Sequence, residues 1–145
     1  RVLALVPVRS VRLELRKNAV IEFLEENGLS EIEEIKIEDN FVVLKFYYDF
    51  DKDEILAARA YANEESDLEE ESDEWYRDWY LSYLSDIAKD NVEGIVEDLG
   101  DELEFSSKIK EVEIDVNNAD YMKFVAILCS EDFEEDLEET LNDYL

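Results

Sequence analysis

One stretch constrains the fold more than any other. Tyr121–Cys129 (YMKFVAILC) is almost entirely apolar, and residues 121–130 hold no acid in a chain that carries 42 acids and 14 bases. A continuous apolar run of this length suits a β-strand covered on both faces rather than one wet on one side. Such a strand needs partner strands at its edges and other elements stacked above and below it.

The sequence offers those partners. Phe41–Phe50 is rich in β-branched and aromatic residues and follows the turn signal Asp39-Asn40. Ile32–Glu38 before it alternates loosely, so the two read as a β-hairpin. Ile109–Val116 alternates as well: Val112, Ile114 and Val116 would point one way, Glu111, Glu113 and Asp115 the other. Asn117-Asn118 then turns the chain into Tyr121–Cys129. The fold class expected is therefore α+β, an antiparallel sheet built from two β-hairpins and covered by helices. Tyr121–Cys129 and Phe41–Tyr48 are expected as central strands. The expected core comprises Val42, Leu44, Phe46, Ile114, Phe124, Val125, Ile127 and Leu128.

Helical segments fill the remainder. Val2–Val8 reads as a short β-strand stopped by Pro7 and Arg9. Ser10 is a candidate N-cap for a helix to about Asn27, with Leu13, Val20, Ile21, Phe23 and Leu24 on one face and Gly28 as the stop. Alternation of Val11, Leu13 and Leu15 with Arg12, Glu14 and Arg16 leaves a strand as the competing assignment. Asp53–Asn63 reads as a short helix. Glu64–Glu74 is an acidic bridge in which Ser66 and Glu69 fit a capping box. Trp75–Leu99 is the longest helix, closed by Gly100, and Asp132–Leu145 an acidic amphipathic one with Phe133, Leu137 and Leu141 four apart. Residues 1–145 are expected as a single domain. Lys17–Gly28 (KNAVIEFLEENG) aligns without gaps on Lys89–Gly100 (KDNVEGIVEDLG), which suggests a pseudo-repeat of 17–63 and 89–145.

The charge is uneven. The net charge is −28, a self-repelling surface that opposes compaction. Residues 1–20 hold five bases and one acid, residues 61–80 nine acids and one base, and residues 131–145 eight acids and no base. Lys outnumbers Arg, eight to six, contrary to the Lys depletion of a halophile surface. Arg9, Arg12, Arg16 and Lys17 read as neutralising the chain's own acids.

Absences exclude much chemistry. With no His, nucleophilic pairs that use it, zinc helices and an imidazole base are ruled out. A lone Cys129 builds neither a disulfide nor a thiolate zinc site; it points to a reducing, cytoplasmic setting and reads as a packed thiol. The three glycines, Gly28, Gly94 and Gly100, form no phosphate cradle, and an acidic surface disfavours direct nucleic-acid binding. No apolar run reaches the ~18–20 residues that span a bilayer. Asp49, Asp51 and Asp53 resemble the start of a calcium loop, but Glu54 and Ala60 stand where Gly and a bidentate Glu belong. They read instead as a helix start with Asp51 or Asp53 as N-cap. No motif selects a catalytic carboxylate pair, so neither catalytic residues, metal nor cofactor is expected.

What remains is a binding surface. Glu64, Glu65, Asp67, Glu69, Glu70, Glu71, Asp73, Glu74 and Asp78 crowd into one segment with Trp75, Tyr76 and Trp79. On an α-helix Trp75 and Trp79 would stack one turn apart; their apolar arc reads as core where a long helix packs on a sheet and also as a protein contact, with Trp75 near a partly exposed helix start. Duplex DNA presents one negative charge per ~1.7 Å, and a helix rises ~1.5 Å per residue. The segment therefore approaches the charge density of a nucleic acid, while Trp and Tyr are favoured anchors of protein contacts. The expectation is a non-enzymatic inhibitor that occludes the basic surface of a nucleic-acid-processing enzyme or nuclease. DNA-mimic inhibitors of restriction and CRISPR systems, and immunity proteins, work by this logic. The alternative is a structural or housekeeping domain, homodimeric or otherwise oligomeric, whose acids serve solubility.

Overall fold

The computed structural model describes residues 13–112, 114, 117, 119–131 and 133–145. The strand expected over Val2–Val8 and the Ser10 cap lie outside the described residues, as do Glu113, Asp115, Val116, Asn118 and Asp132. Helix α1 (Leu13–Glu26) leads into the hairpin β1 (Leu29–Ile37) and β2 (Phe41–Asp49), then α2 (Lys52–Glu65). A π-helical segment, Trp75–Tyr80, opens α3 (Leu81–Leu103), followed by β3 (Ser106–Glu111), β4 (Tyr121–Cys129) and α4 (Leu137–Asn142). The element order thus runs helix–hairpin–helix twice. The strands form one antiparallel sheet in the order β1-β2-β4-β3.

The two hairpins meet through β2 and β4, which pair from Phe41–Cys129 to Asp49–Tyr121. Side chains alternate across a strand, so each central strand feeds two layers. On one face Leu44, Phe46, Phe124 and Leu128 pack with Val20 and Leu24 of α1 and Ala88, Val92, Val96 and Leu99 of α3. On the other, Val43, Val125, Ile127 and Cys129 lie under Phe133, Leu137, Leu141 and Tyr144. Both faces of β4 are covered, which accounts for an apolar run interrupted only by Lys123. Each large side chain buried this way contributes about 1.5–3 kcal/mol. A third cluster of Ala58, Ala62, Trp75, Tyr80 and Leu84 ties α2 to the start of α3.

Several boundaries differ from expectation. Residues Leu13–Leu15 are helical, which decides against the alternating strand there. β3 starts at Ser106 and ends at Glu111, not Ile109–Val116. Val112 and Ile114 pack against opposite faces of the sheet instead of sharing one, and Ile114 is only partly buried. α3 runs past Gly100 to Leu103, where Glu104 adopts the left-handed conformation at φ 61°. Gly100 is needed for close approach: a Cβ there would sit 2.8 Å from the Phe105 carbonyl oxygen. α4 begins only after Asp136, whose carboxylate accepts from the Glu139 N–H at 2.9 Å. Phe133 nevertheless joins Leu137 and Leu141 on the sheet.

Candidate protein-binding surface

α2 begins at a capping box. The Asp51 carboxylate accepts from the Glu54 N–H at 2.8 Å, and the Glu54 carboxylate accepts from the Asp51 N–H at 3.0 Å. Asp49 accepts from the Ser30 hydroxyl at 2.6 Å. The D-x-D-x-D run is thus used in turn and cap geometry, and among the described residues no His, Cys, Asp and Glu group has a metal-binding arrangement.

At its other end α2 delivers the acidic segment. Ser66 closes α2 rather than opening a new helix: its N–H and its hydroxyl both donate to the Ala62 carbonyl, at 3.2 and 2.6 Å. The expected Ser66–Glu69 capping box is not formed: the Ser66 hydroxyl oxygen accepts from the Leu68 N–H, at 3.4 Å, instead of from Glu69. The chain then crosses residues 66–72 as a loop and re-enters a helix at Asp73.

All nine acids singled out, Glu64, Glu65, Asp67, Glu69, Glu70, Glu71, Asp73, Glu74 and Asp78, are exposed. They form a ledge whose middle is fixed from beneath. The Arg59 guanidinium contacts Glu71 at 2.9 Å and Glu70 at 3.6 Å. Asn63 donates to the Glu70 carboxylate at 2.9 Å, while its carbonyl accepts from the Trp75 indole N–H, also at 2.9 Å. Arg59 lies 5.3 Å from the Trp75 ring and 5.8 Å from the Tyr80 ring. Hydrogen bonding to Glu71 raises the Arg59 pKa further, so this cation is permanent. Exposed ion pairs contribute only about 0–1 kcal/mol each; here they tie Glu70 and Glu71 to α2, and Glu71 adopts the left-handed conformation at φ 69°.

The aromatic residues divide into two roles. Trp75 is fully buried rather than partly exposed, and it stacks on Tyr80 at 5.1 Å and 12°, not on Trp79. The cause is the π-helical turn: bonding from i to i+5 brings the fifth residue round, not the fourth. Trp75 thus supports the ledge and offers no surface. Tyr76 and Trp79 are half-buried. Trp79 sits 5.9 Å from Tyr61, which in turn lies 4.9 Å from Tyr83, so three rings form a patch beside the acids. Tyr61 was invisible to sequence reasoning, since only the packing of α2 on α3 brings it there.

A second acidic row also escaped the sequence. Asp86, Asp90, Glu93, Glu97 and Asp101 are all exposed on α3. Their spacing of three and four residues places them along one helix side, about 22 Å from first to last at 1.5 Å per residue. The i, i+4 spacing was the available signal.

Burial pushes the Cys129 thiol up to about 12, consistent with a packed rather than reactive group. Arg16 lies over the Phe105 ring at 4.9 Å and Lys17 pairs with Glu34 at 2.9 Å, while Arg9 and Arg12 fall outside the described residues. No described helix is long and apolar enough to cross a membrane. No protein-family model, curated protein or solved structure matches the chain.

Proposed function

We propose that this chain is a non-enzymatic acidic binding protein that occupies the basic nucleic-acid-binding surface of a partner, a DNA-mimic inhibitor of a nucleic-acid-processing enzyme or nuclease. The observation that carries it is the ledge: nine exposed carboxylates at residues 64–78, of which Glu70 and Glu71 are tied by Arg59 and Asn63 beside the buried Trp75–Tyr80 pair. A fixed polyanion loses less conformational freedom on binding than a flexible one. Electrostatic steering speeds its encounter with a basic groove, and the Tyr61–Trp79–Tyr83 patch supplies apolar contact that slows release.

The test is capture of a basic partner from cell lysate on the immobilised chain at ~150 mM salt, where screening acts beyond ~8 Å, followed by competition against a nucleic acid for that partner. Reversing Glu69, Glu70 and Glu74 to Lys should abolish binding while the circular dichroism spectrum is retained. Unchanged affinity would remove the ledge from the interface. The alternative, acids that only solvate the fold, draws on Glu22, Glu25, Glu138 and Glu139, which are exposed away from the ledge; it expects no avid partner at that salt.

A further inference from the structure

The outer edge of β3, with which no described strand pairs, has its own geometry. β3 ends the strand order, with β4 on one side of it. The Val112 N–H donates to the Lys123 carbonyl at 2.9 Å, continuing the register in which Glu111 faces Phe124. Antiparallel pairs alternate between bonded and non-bonded. With Val112–Lys123 bonded, Ser106, Lys108 and Lys110 turn their backbone groups toward β4. Ser107, Ile109 and Glu111 turn theirs to the open edge, where no described strand meets them. Beside that edge a cavity of 270 Å³ is lined by Glu93, Val96 and Glu97 of α3 and by Ser107, Lys108 and Ile109 of β3. Glu93 and Glu97 make its α3 wall acidic, Lys108 stands on the β3 side, and its floor is apolar, because Val96 and Ile109 belong to the core under it.

We propose that the β3 edge and the α3 groove together bind an extended segment of a partner protein by strand addition, with basic side chains laid against Glu93 and Glu97. Ser107, Ile109 and Glu111 supply the ladder of main-chain bonds, and the groove supplies specificity at alternate side chains. The remaining side chains of the incoming strand emerge on the other sheet face beside Lys108 and Lys110, where acidic residues fit. The preferred segment therefore alternates Lys or Arg with Asp or Glu. A second copy of β3 is a poor occupant. Antiparallel self-pairing brings Lys108 and Lys110 against their counterparts, and directly opposed like charges destabilise a sheet; edge lysines commonly guard against such pairing. This inference is independent of the ledge.

The test is titration of the full chain with a decapeptide alternating Lys and Glu at ~150 mM salt, read by amide NMR and hydrogen exchange. Expected is slowed exchange at Ser107, Ile109 and Glu111. The isomer with its Lys and Glu in separate blocks should bind at least about tenfold more weakly, equivalent to 1.4 kcal/mol. Lys residues of the peptide pair directly with Ser107 and Ile109, so N-methylation at Lys should weaken binding about tenfold or more and N-methylation at Glu should leave it unchanged. Glu93→Gln with Glu97→Gln should weaken binding, whereas Glu69→Lys with Glu70→Lys should preserve the contrast between the two methylated peptides. Equal affinity for the block isomer, equal effects of both methylation patterns, no binding, or concentration-dependent protection of β3 without peptide would each overturn the proposal.

Discussion

Phe46 and Phe124 are register partners at the seam between the two hairpins, and their rings stack at 6.1 Å with an interplanar angle of 19°. Neither exposes any surface. The pair links the hairpins directly, so truncating either ring removes contact from both. Phe46→Ala or Phe124→Ala is expected to cost about 3–5 kcal/mol, a large part of a typical 5–15 kcal/mol stability. Urea unfolding midpoints measure this; a loss under about 1 kcal/mol would show that the seam is held elsewhere.

Glycines 94 and 100 occupy the same helix and should respond in opposite directions. Around Gly94 nothing lies within 4 Å of an added Cβ, so Gly94→Ala should stabilise by about 0.5–1 kcal/mol through helix propensity. At Gly100 the Phe105 carbonyl blocks the added methyl at 2.8 Å, and Gly100→Ala should destabilise by about 1–3 kcal/mol. Thermal melts of the two variants give the comparison.

Arg59 offers a test in which charge and geometry disagree. Arg59→Met keeps the aliphatic stem and makes the molecule more negative, so attraction alone would strengthen binding to a basic partner. Loss of the contacts to Glu70 and Glu71 should instead speed amide exchange in residues 69–72 and weaken binding by severalfold, since preorganisation is lost. Unchanged exchange at those amides would mean the ledge is held without Arg59.

Alkaline pH should destabilise the fold. Burial raises the Cys129 thiol from 9.0 to about 12, and burial followed by the Glu54 hydrogen bond raises the Tyr48 hydroxyl from 10.0 to about 12. Above about pH 9 the unfolded chain releases these protons first, so it binds fewer than the folded state, and stability falls as pH rises toward about 12. The urea midpoint should drop from about pH 8 to about pH 10.5, with a shallower slope in Cys129→Ala. A flat profile in the parent chain would contradict the burial of these groups.

Salt should act in the opposite sense. A net charge of −28 repels itself, and screening shortens from ~30 Å at 0.01 M to ~8 Å at 0.15 M ionic strength. The melting temperature should rise over that range; a fall would indicate that the ion pairs outweigh the repulsion.

Legibility in the sequence followed the physical signal. β4 matches its expected span because Tyr121–Cys129 is apolar on both faces, and β2 nearly so. Both central strands were readable from local chemistry, and so was a cap of α2 at Asp51 or Asp53, of which the structure uses Asp51. β3 was displaced because Val112 and Ile114 alternate by residue type yet serve opposite faces, a choice made by tertiary packing. Ser66 had the composition of an N-cap, and nothing local distinguishes a Ser that opens a helix from one that closes the helix before it. In the binding surface, the exposed carboxylates were evident from composition, whereas Tyr61 and the pinning role of Arg59 depend on the packing of α2 against the π-helical turn.

The π-helical segment Trp75–Tyr80 sets the rotational phase of everything N-terminal to it. Each residue of an α-helix advances about 100°, and a π-turn behaves as one surplus residue in that count. Excising a single position there would swing the preceding chain by roughly a third of a revolution, rolling the indole of Trp75 out of its seat and the acids upstream onto another side of the molecule. The direction in which the ledge points is thus encoded in one backbone irregularity.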